Sequence, residues 1–230
     1  MNDGSGQISV TGSGSSAAPP DIAIVTVGVE VVSSSVAAAR TQAATDGAAV
    51  IEALRSGGVH QRDLATTTFS VHPEYDHRNG KHLPGYRVTN TVEARVRGLD
   101  SLGQLVDSVV AAGGDNTVIN SIRFAHEDST ALDTAARNEA WQDARRKAAQ
   151  LAELAGLELG DPTFINEQTR PSPTPPLRHA MMEGAAATPI EAGALGVTVH
   201  VELGIAIPAR GGKKTAAKKN PAQKKPAKQK

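Results

Sequence analysis

Apolar and polar residues alternate in two long stretches of the chain, which predicts two half-buried β-strands. In residues 22–32 the odd positions carry alanine or valine, while Thr26 and Glu30 lie on the opposite side. In residues 197–207 the odd positions are again apolar, and His200 is among the outward-facing polar residues. Shorter strands are predicted at residues 8–11, 65–71, 88–96, 118–124 and 163–167. Each of these segments either places apolar residues on alternate positions, so that they share one face, or is a brief run of residues with high strand propensity.

Helical patterns separate several of these strands. A helix is predicted over residues 36–56, because serines at 33–35 can cap its start and Gly57-Gly58 can end it. Asp100 can cap a second helix that runs to residue 112. The longest helix is predicted to start at residue 128 or 129 and to end before Gly156.

Glycine, proline and polar residues mark the predicted turns and loops. Gly12 and Gly14 are interpreted as turn residues between the first two strands. Residues 73–85 are rich in His, Asn, Gly and Pro, which indicates a hairpin with a long polar loop. Residues 170–193 are rich in Pro and Ala and lack periodicity, which favours a flexible loop.

The predicted element order is β-β-α-β-β-α-β-α-β-β. Helices do not alternate one for one with strands, so a doubly wound parallel sheet is not expected. The hairpins instead favour an α+β fold with mixed or antiparallel sheets and helices packed on one face.

Charge is distributed unevenly along the chain. The 24 Lys+Arg and 24 Asp+Glu cancel overall, but all nine charged residues from Arg210 onward are basic, which leaves 15 basic and 24 acidic residues and a net charge of −9 before that point. Residues 213–230 contain no apolar side chain larger than alanine. We therefore predict a flexible N-terminus at 1–7, one domain at 8–208 and a disordered lysine-rich tail at 209–230.

The composition of the chain also predicts its location in the cell. The first 16 residues are polar and rich in glycine and serine, without the apolar stretch of a signal peptide. The longest apolar run is too short to span a bilayer as a helix, so no transmembrane segment is expected. These features predict a cytoplasmic protein.

Motifs for catalysis are not recognisable in the sequence. It has no cysteine, no nucleophile turn of the Gly-x-Ser-x-Gly type and no phosphate-binding loop. His72, His77 and His82 share one predicted loop with Glu74 and Asp76, which are residue types that bind metals. A solvated polar loop is favoured over a metal site, and we predict no catalytic, cofactor-binding or metal-binding residues.

Two further features leave alternatives open. Trp141, on the longest helix, is expected either to pack against a sheet or to form an oligomer contact. The tail is consistent with non-specific nucleic-acid binding, with attraction to an anionic membrane or with a solubilising role. If it binds nucleic acid, the candidate contacts are Lys213, Lys214, Lys218, Lys219, Lys224, Lys225, Lys228 and Lys230.

Ordered motifs along residues 8–207 resemble the SIMPL-domain family. They include the opening stretch ISVTGSGSSAAPPDIAIVTVGVEV, the Thr-Phe-Ser strand, the Pro-x-Tyr-x-x-x-x-Gly hairpin, Gly85-Tyr86 and the strand with Asn90. The long helix from residue 131 and the closing stretch PIEAGALGVTVHVELGI complete the resemblance.

The resemblance implies an α+β fold with helices against curved sheets, and in some members a large ring-like oligomer. Several members are exported, some are associated with oxidative-stress resistance or immunogenicity, and the family offers no established catalytic residues. The leading hypothesis is therefore a non-enzymatic, self-associating and stress-related protein of the cytoplasm. The alternatives are a nucleic-acid-associated protein acting through its tail and a metal-dependent enzyme using the His72–His82 loop.

Overall fold

The computed structural model of the protein describes residues 6–76, 82–172, 188 and 190–208. Within these ranges the elements follow the predicted order: β1 (Gly6–Ala18), β2 (Ile22–Ser33), α1 (Val36–Ser56), β3 (Leu64–Asp76), β4 (His82–Val96), α2 (Leu102–Gly113), β5 (Thr117–Ala125), α3 (Thr130–Ala155), β6 (Pro162–Ser172) and β7 (Leu195–Ile207). The strands form two sheets in which every described pair is antiparallel. The α+β prediction is confirmed.

The larger sheet has four strands in the order β3-β4-β2-β5, with α1 and α2 on one face. Its core is made of small aliphatic residues, as the scarcity of aromatics requires; Val27, Val88 and Leu54 are fully buried there. The start of α1 lies where the serines predict it, because the Ser35 hydroxyl accepts a hydrogen bond from the Ala38 backbone N–H at 3.2 Å.

The smaller sheet has three strands in the order β1-β7-β6, and α3 packs over β1 and β7. The helix presents a stripe of fully buried alanines to this sheet: Ala136, Ala140, Ala144 and Ala148. Trp141 is half-buried and packs beside this core, so the structure supports the sheet-packing alternative for its side chain.

Gly12 and Gly14 lie inside β1, so the prediction that they form a turn is wrong. A Cβ atom on Gly12 would lie 2.1 Å from the Ala140 carbonyl oxygen, and one on Gly14 would lie 2.2 Å from that of Ala136. Both glycines are therefore required by the close approach of the helix backbone to the strand. Local conformational preference alone predicts a turn at a glycine, whereas here both glycines are needed for tertiary packing.

A bulge at Thr67 changes the prediction that the odd positions of β3 share a face. Ala65 pairs with Glu93, but after the register shift Phe69 pairs with Asn90. The side chains of Ala65 and Phe69 therefore point to opposite faces of the sheet. Phe69 therefore lies on the side of the sheet that carries α1, beyond the edge of that helix, and remains 59% exposed.

Two predicted loops are shorter than expected within the described residues. β3 extends to Asp76 and β4 begins at His82, inside the predicted loop at 73–85. β6 continues to Ser172, three residues into the predicted loop at 170–193. In both places backbone pairing with a neighbouring strand, at Glu74–Gly85 and Arg170–Thr198, outweighs the polar local composition. No helix in the described part of the chain has the length and hydropathy to cross a bilayer.

Candidate functional site

The face of the three-stranded sheet opposite α3 carries a regular grid of polar side chains. Because β1, β7 and β6 are paired in register, the side chains form three rows: Thr11–Glu202–Asn166, Ser13–His200–Gln168 and Ser15–Thr198–Arg170. Six of these residues line a concavity of about 340 Å³: Thr11, Asn166, Gln168, Arg170, His200 and Glu202.

The polar groups of the concavity are available for a ligand. His200 and Glu202 lie on the central strand and are half-buried, while Gln168 and Arg170 lie on the exposed edge strand. Within the described ranges, none of the hydrogen bonds or ion pairs of the protein uses the side chains that line the concavity. The site therefore combines hydrogen-bond donors and acceptors that a bound molecule could satisfy.

The arrangement does not form a catalytic triad. Ser13 lies opposite His200, and Glu202 follows two positions along the same strand. No hydrogen bond joins these three side chains in the part of the chain that the structure describes, so the serine lacks an oriented base. The same part contains no cluster of three or more metal-ligating side chains.

The described residues of the predicted histidine loop lie on two paired strands, where Asp76 is opposite His82. His72 is exposed on β3, His82 is the first residue of β4, and His77 lies outside the described residues. Glu74 accepts a hydrogen bond from Arg87 Nε at 2.8 Å, and Arg87 also pairs with Glu30. Glu74, one of the possible metal ligands, is thus already paired with Arg87, and the metal-dependent alternative for this loop stays a hypothesis.

All eight lysines predicted as nucleic-acid contacts lie outside the described residues, so that assignment also stays a prediction. The grid on the small sheet was not predicted as a site. The outward positions of β7 were visible in the sequence, but their neighbours on β1 and β6 come from segments about 190 and 30 residues away in the chain. Only strand pairing reveals that they share one face.

The free edge of β1 is covered by charged side chains of α3, a feature that has no signal in the sequence. The Ser13 backbone N–H donates to Asp143 Oδ2 at 3.0 Å, and that of Ser15 donates to Glu139 Oε2 at 2.8 Å. Lys147 Nζ donates to the Thr11 carbonyl oxygen at 2.9 Å. These contacts occupy backbone groups that would otherwise be open to another strand.

Arg97 joins two acidic side chains from different parts of the fold. It donates to Asp63 Oδ2 at 2.6 Å and to Glu127 Oε2 at 2.8 Å, and the Asp63 side chain is only 5% exposed. Hydrogen bonding by Arg97 lowers the pKa of Asp63 below its ordinary value of 3.8 and that of Glu127 below 4.5. The same contacts, with Glu127 first, raise the pKa of Arg97.

We predict that Arg97→Met reduces the pH dependence of stability in acid. Both carboxyl groups have lowered pKa values in the folded state, so the unfolded chain binds more protons in acid, and the contacts stabilise the fold above the ordinary values of 3.8 and 4.5. This stabilisation is lost as the pH falls through the lowered values. Urea unfolding should show the variant less stable than the parent at neutral pH, with the difference shrinking below about pH 4.

Arg123→Met is the matched control, because Arg123 is 61% exposed and contacts Glu93 only at 3.5 Å. It should have a small effect at every pH, as surface pairs do. A difference for Arg97→Met that stays constant from neutral pH to pH 3 would contradict the linkage.

These features define a class of protein: an α+β fold with two antiparallel sheets, an acidic body and a polar concave face. A family model described as SIMPL, protein of unknown function (DUF541), matches residues 8–205. The chain belongs to this family, as the motif resemblance predicts.

Two kinds of curated relative are similar to the chain. The 26 kDa periplasmic immunogenic protein of Brucella melitensis biotype 1 is 31% identical over 194 residues, which cover 80% of this chain and 75% of the relative. The uncharacterized protein YggE of Escherichia coli strain K12 is 32% identical over 154 residues, which cover 66% of this chain and 62% of the relative. The descriptions of the family and of these relatives indicate no enzyme activity.

The relatives correct the prediction of a cytoplasmic location. The matching proteins of two Brucella species are both named as periplasmic, which points to export. The cytoplasmic prediction was inferred from the polar composition of the first 16 residues. That composition describes a short segment of sequence, whereas similarity to the periplasmic proteins extends over 80% of the chain.

Proposed function

We propose that this chain is an exported, non-enzymatic protein that acts by self-association, and that the free edge of β3 is the surface through which copies pair. The observation that carries this proposal is the difference between β3 and the other sheet edges. An unpaired strand edge presents backbone N–H and C=O groups that can extend a sheet into a second chain.

Three of the four sheet edges carry features that oppose pairing. The edge of β1 is occupied by side chains of α3, as described above. β6 contains Pro162 and Pro171, which have no backbone N–H to donate to a hydrogen-bond ladder. The charged side chains of Glu167 and Arg170 between them also oppose pairing with another strand. β5 is the shortest strand and carries Arg123, which pairs with Glu93 on β4.

The edge of β3 lacks most of these protective features. Residues 64–71 contain no charge and no proline, and they consist largely of threonine and apolar residues with high strand propensity. Phe69 and Val71, exposed by 59% and 37%, lie on this strand beyond the cover of α1. In an antiparallel pairing of two copies, these side chains would pack against their counterparts across a twofold axis.

An exported location favours self-association over the nucleic-acid alternative, because a periplasmic protein is separated from chromosomal DNA. Self-association also requires only groups that the described residues present. The association with stress resistance is implied only by the family resemblance, and it stays a prediction.

We predict that Phe69→Ser weakens self-association of the full chain at least about 100-fold, because each copy loses a buried aromatic side chain worth about 1.5–3 kcal/mol and a twofold interface contains it twice. Sedimentation velocity over a concentration series measures the effect. Because Phe69 is mostly exposed within one copy, the variant should keep the circular dichroism spectrum and thermal stability of the parent at concentrations where the parent is dissociated.

Ile165→Ser is the matched control, since Ile165 is also 59% exposed but lies on β6. This variant should associate like the parent. A parent chain that stays monomeric throughout the micromolar range would refute the proposal, and equal weakening by both variants would exclude β3 as the specific edge.

A further inference from the structure

We propose that the polar concavity on the three-stranded sheet binds a neutral oligosaccharide. The site is independent of the proposed assembly surface, because it lies on a different sheet from β3. It offers hydrogen-bonding groups on three adjacent strands, and none of its lining residues is apolar.

The spacing of the grid suits a chain of hydroxyl groups. Neighbouring strands lie about 4.8 Å apart, and successive side chains on one face of a strand are separated by about 6.7 Å. Amide side chains such as Asn166 and Gln168 both donate and accept, Glu202 accepts and Arg170 donates. Sugar hydroxyl groups also donate and accept, so they can satisfy mixed neighbours of this kind.

The charges of the site favour a neutral ligand. Arg170 and Glu202 carry opposite charges, and the register separates them by four residues, or about 13 Å along the strands. Between them lie only polar groups, including His200 and Gln168. A peptide with charged ends could span this distance, but the six lining residues offer its side chains no apolar surface, so a polyhydroxylated chain fits better.

An aromatic ring extends the site at one end. Phe164 lies on the same face, one row beyond Asn166, and is 44% exposed. It pairs with Gly204, where an added Cβ atom would lie 2.4 Å from Gln7 Nε2 and 3.2 Å from the Phe164 Cβ, so the Gln7 amide lies between the glycine and the base of the ring. The ring offers an apolar surface on which the C–H face of a sugar ring can pack.

The shape of the site indicates how the ligand lies. Small-molecule pockets enclose most of their ligand, whereas this concavity of about 340 Å³ sits on the face of a sheet. We therefore assign it to a segment of an extended glycan that lies along the strands and continues past Phe164.

Saturation-transfer NMR with the full chain tests this assignment, using cellotetraose, maltotetraose and chitotetraose as probes and zwitterionic tetra-alanine as the non-sugar comparison. At least one tetrasaccharide should receive saturation, and tetra-alanine should not. Gln168→Ala should weaken the binding about tenfold, because it removes a side chain that donates and accepts at the centre of the grid. Phe164→Ala should weaken it similarly by removing the apolar platform.

Gln142→Ala is the matched control, since Gln142 is also exposed but lies on α3, away from the concavity. It should bind the sugar like the parent. The assignment is overturned if none of the three tetrasaccharides receives saturation, if tetra-alanine binds instead, or if Gln168→Ala binds like Gln142→Ala. The Phe69→Ser variant should retain sugar binding, so failure of the assembly proposal and failure of this one are distinguishable.

Discussion

Gly12→Ala is expected to lower the free energy of unfolding by about 3 kcal/mol, at the upper end of the usual cost of overpacking. The added Cβ would lie 2.1 Å from the Ala140 carbonyl oxygen and 2.4 Å from the Ala144 backbone nitrogen. Both atoms belong to the backbone of α3, so no side-chain rotation can relieve the contact. The helix must move away from β1, and the buried alanine stripe would then lose contacts with the sheet.

Gly6→Ala is the control for this experiment, because Gly6 lies on the same strand but a Cβ there would meet only the Ile207 side chain, at ordinary distances of 3.4 Å and 3.7 Å. Its effect on stability should stay within about 0.5 kcal/mol. Urea unfolding followed by circular dichroism compares the two variants with the parent. Equal stabilities of Gly12→Ala and Gly6→Ala would show that α3 does not pack on β1 as closely as described.

Leu54→Ala is expected to lower the free energy of unfolding by about 2–5 kcal/mol, the range for a leucine removed from a well-packed core. Leu54 lies in the last turn of α1, has no exposed surface and belongs to the core beneath the four-stranded sheet. The surrounding valines and leucines are held by two helices and a sheet, so they cannot readily close the cavity.

Leu154→Ala makes the same chemical change near the end of another helix, where the side chain is 78% exposed. It should alter stability by no more than about 0.5 kcal/mol. Unfolding curves measured under the same conditions give both values. Comparable losses in the two variants would contradict the burial that distinguishes these leucines.

The two sheets differ in how far a helix covers their edge strands. On the small sheet, α3 supplies both the buried stripe and the charged side chains that occupy the β1 edge. On the large sheet, the outer part of β3 extends beyond α1, and Phe69 remains uncovered. The small sheet thus exposes a polar face opposite α3, and the large sheet exposes a strand edge at β3.

Much of the fold could be predicted from local patterns. The order of strands and helices follows from periodicity, and the α1 boundaries follow from Ser35 and Gly57. The prediction failed where a residue serves a distant partner. The sequence predicts a turn at Gly12 because the contact of this glycine in α3 is more than 120 residues away, and the bulge at Thr67 cannot be recognised without the paired strand.

The sequence by itself determined the element order, the small aliphatic core, the family and the segregation of charge between the body and the tail. The element order, the core composition and the charge segregation depend on side-chain type and on neighbours within a few residues, whereas the family resemblance depends on the order of motifs along residues 8–207. Only the tertiary structure decided which polar residues share the grid, which edges are covered and why the glycines of β1 are needed. Those properties depend on pairing between strands and on helix–sheet contacts between segments that are far apart in the chain.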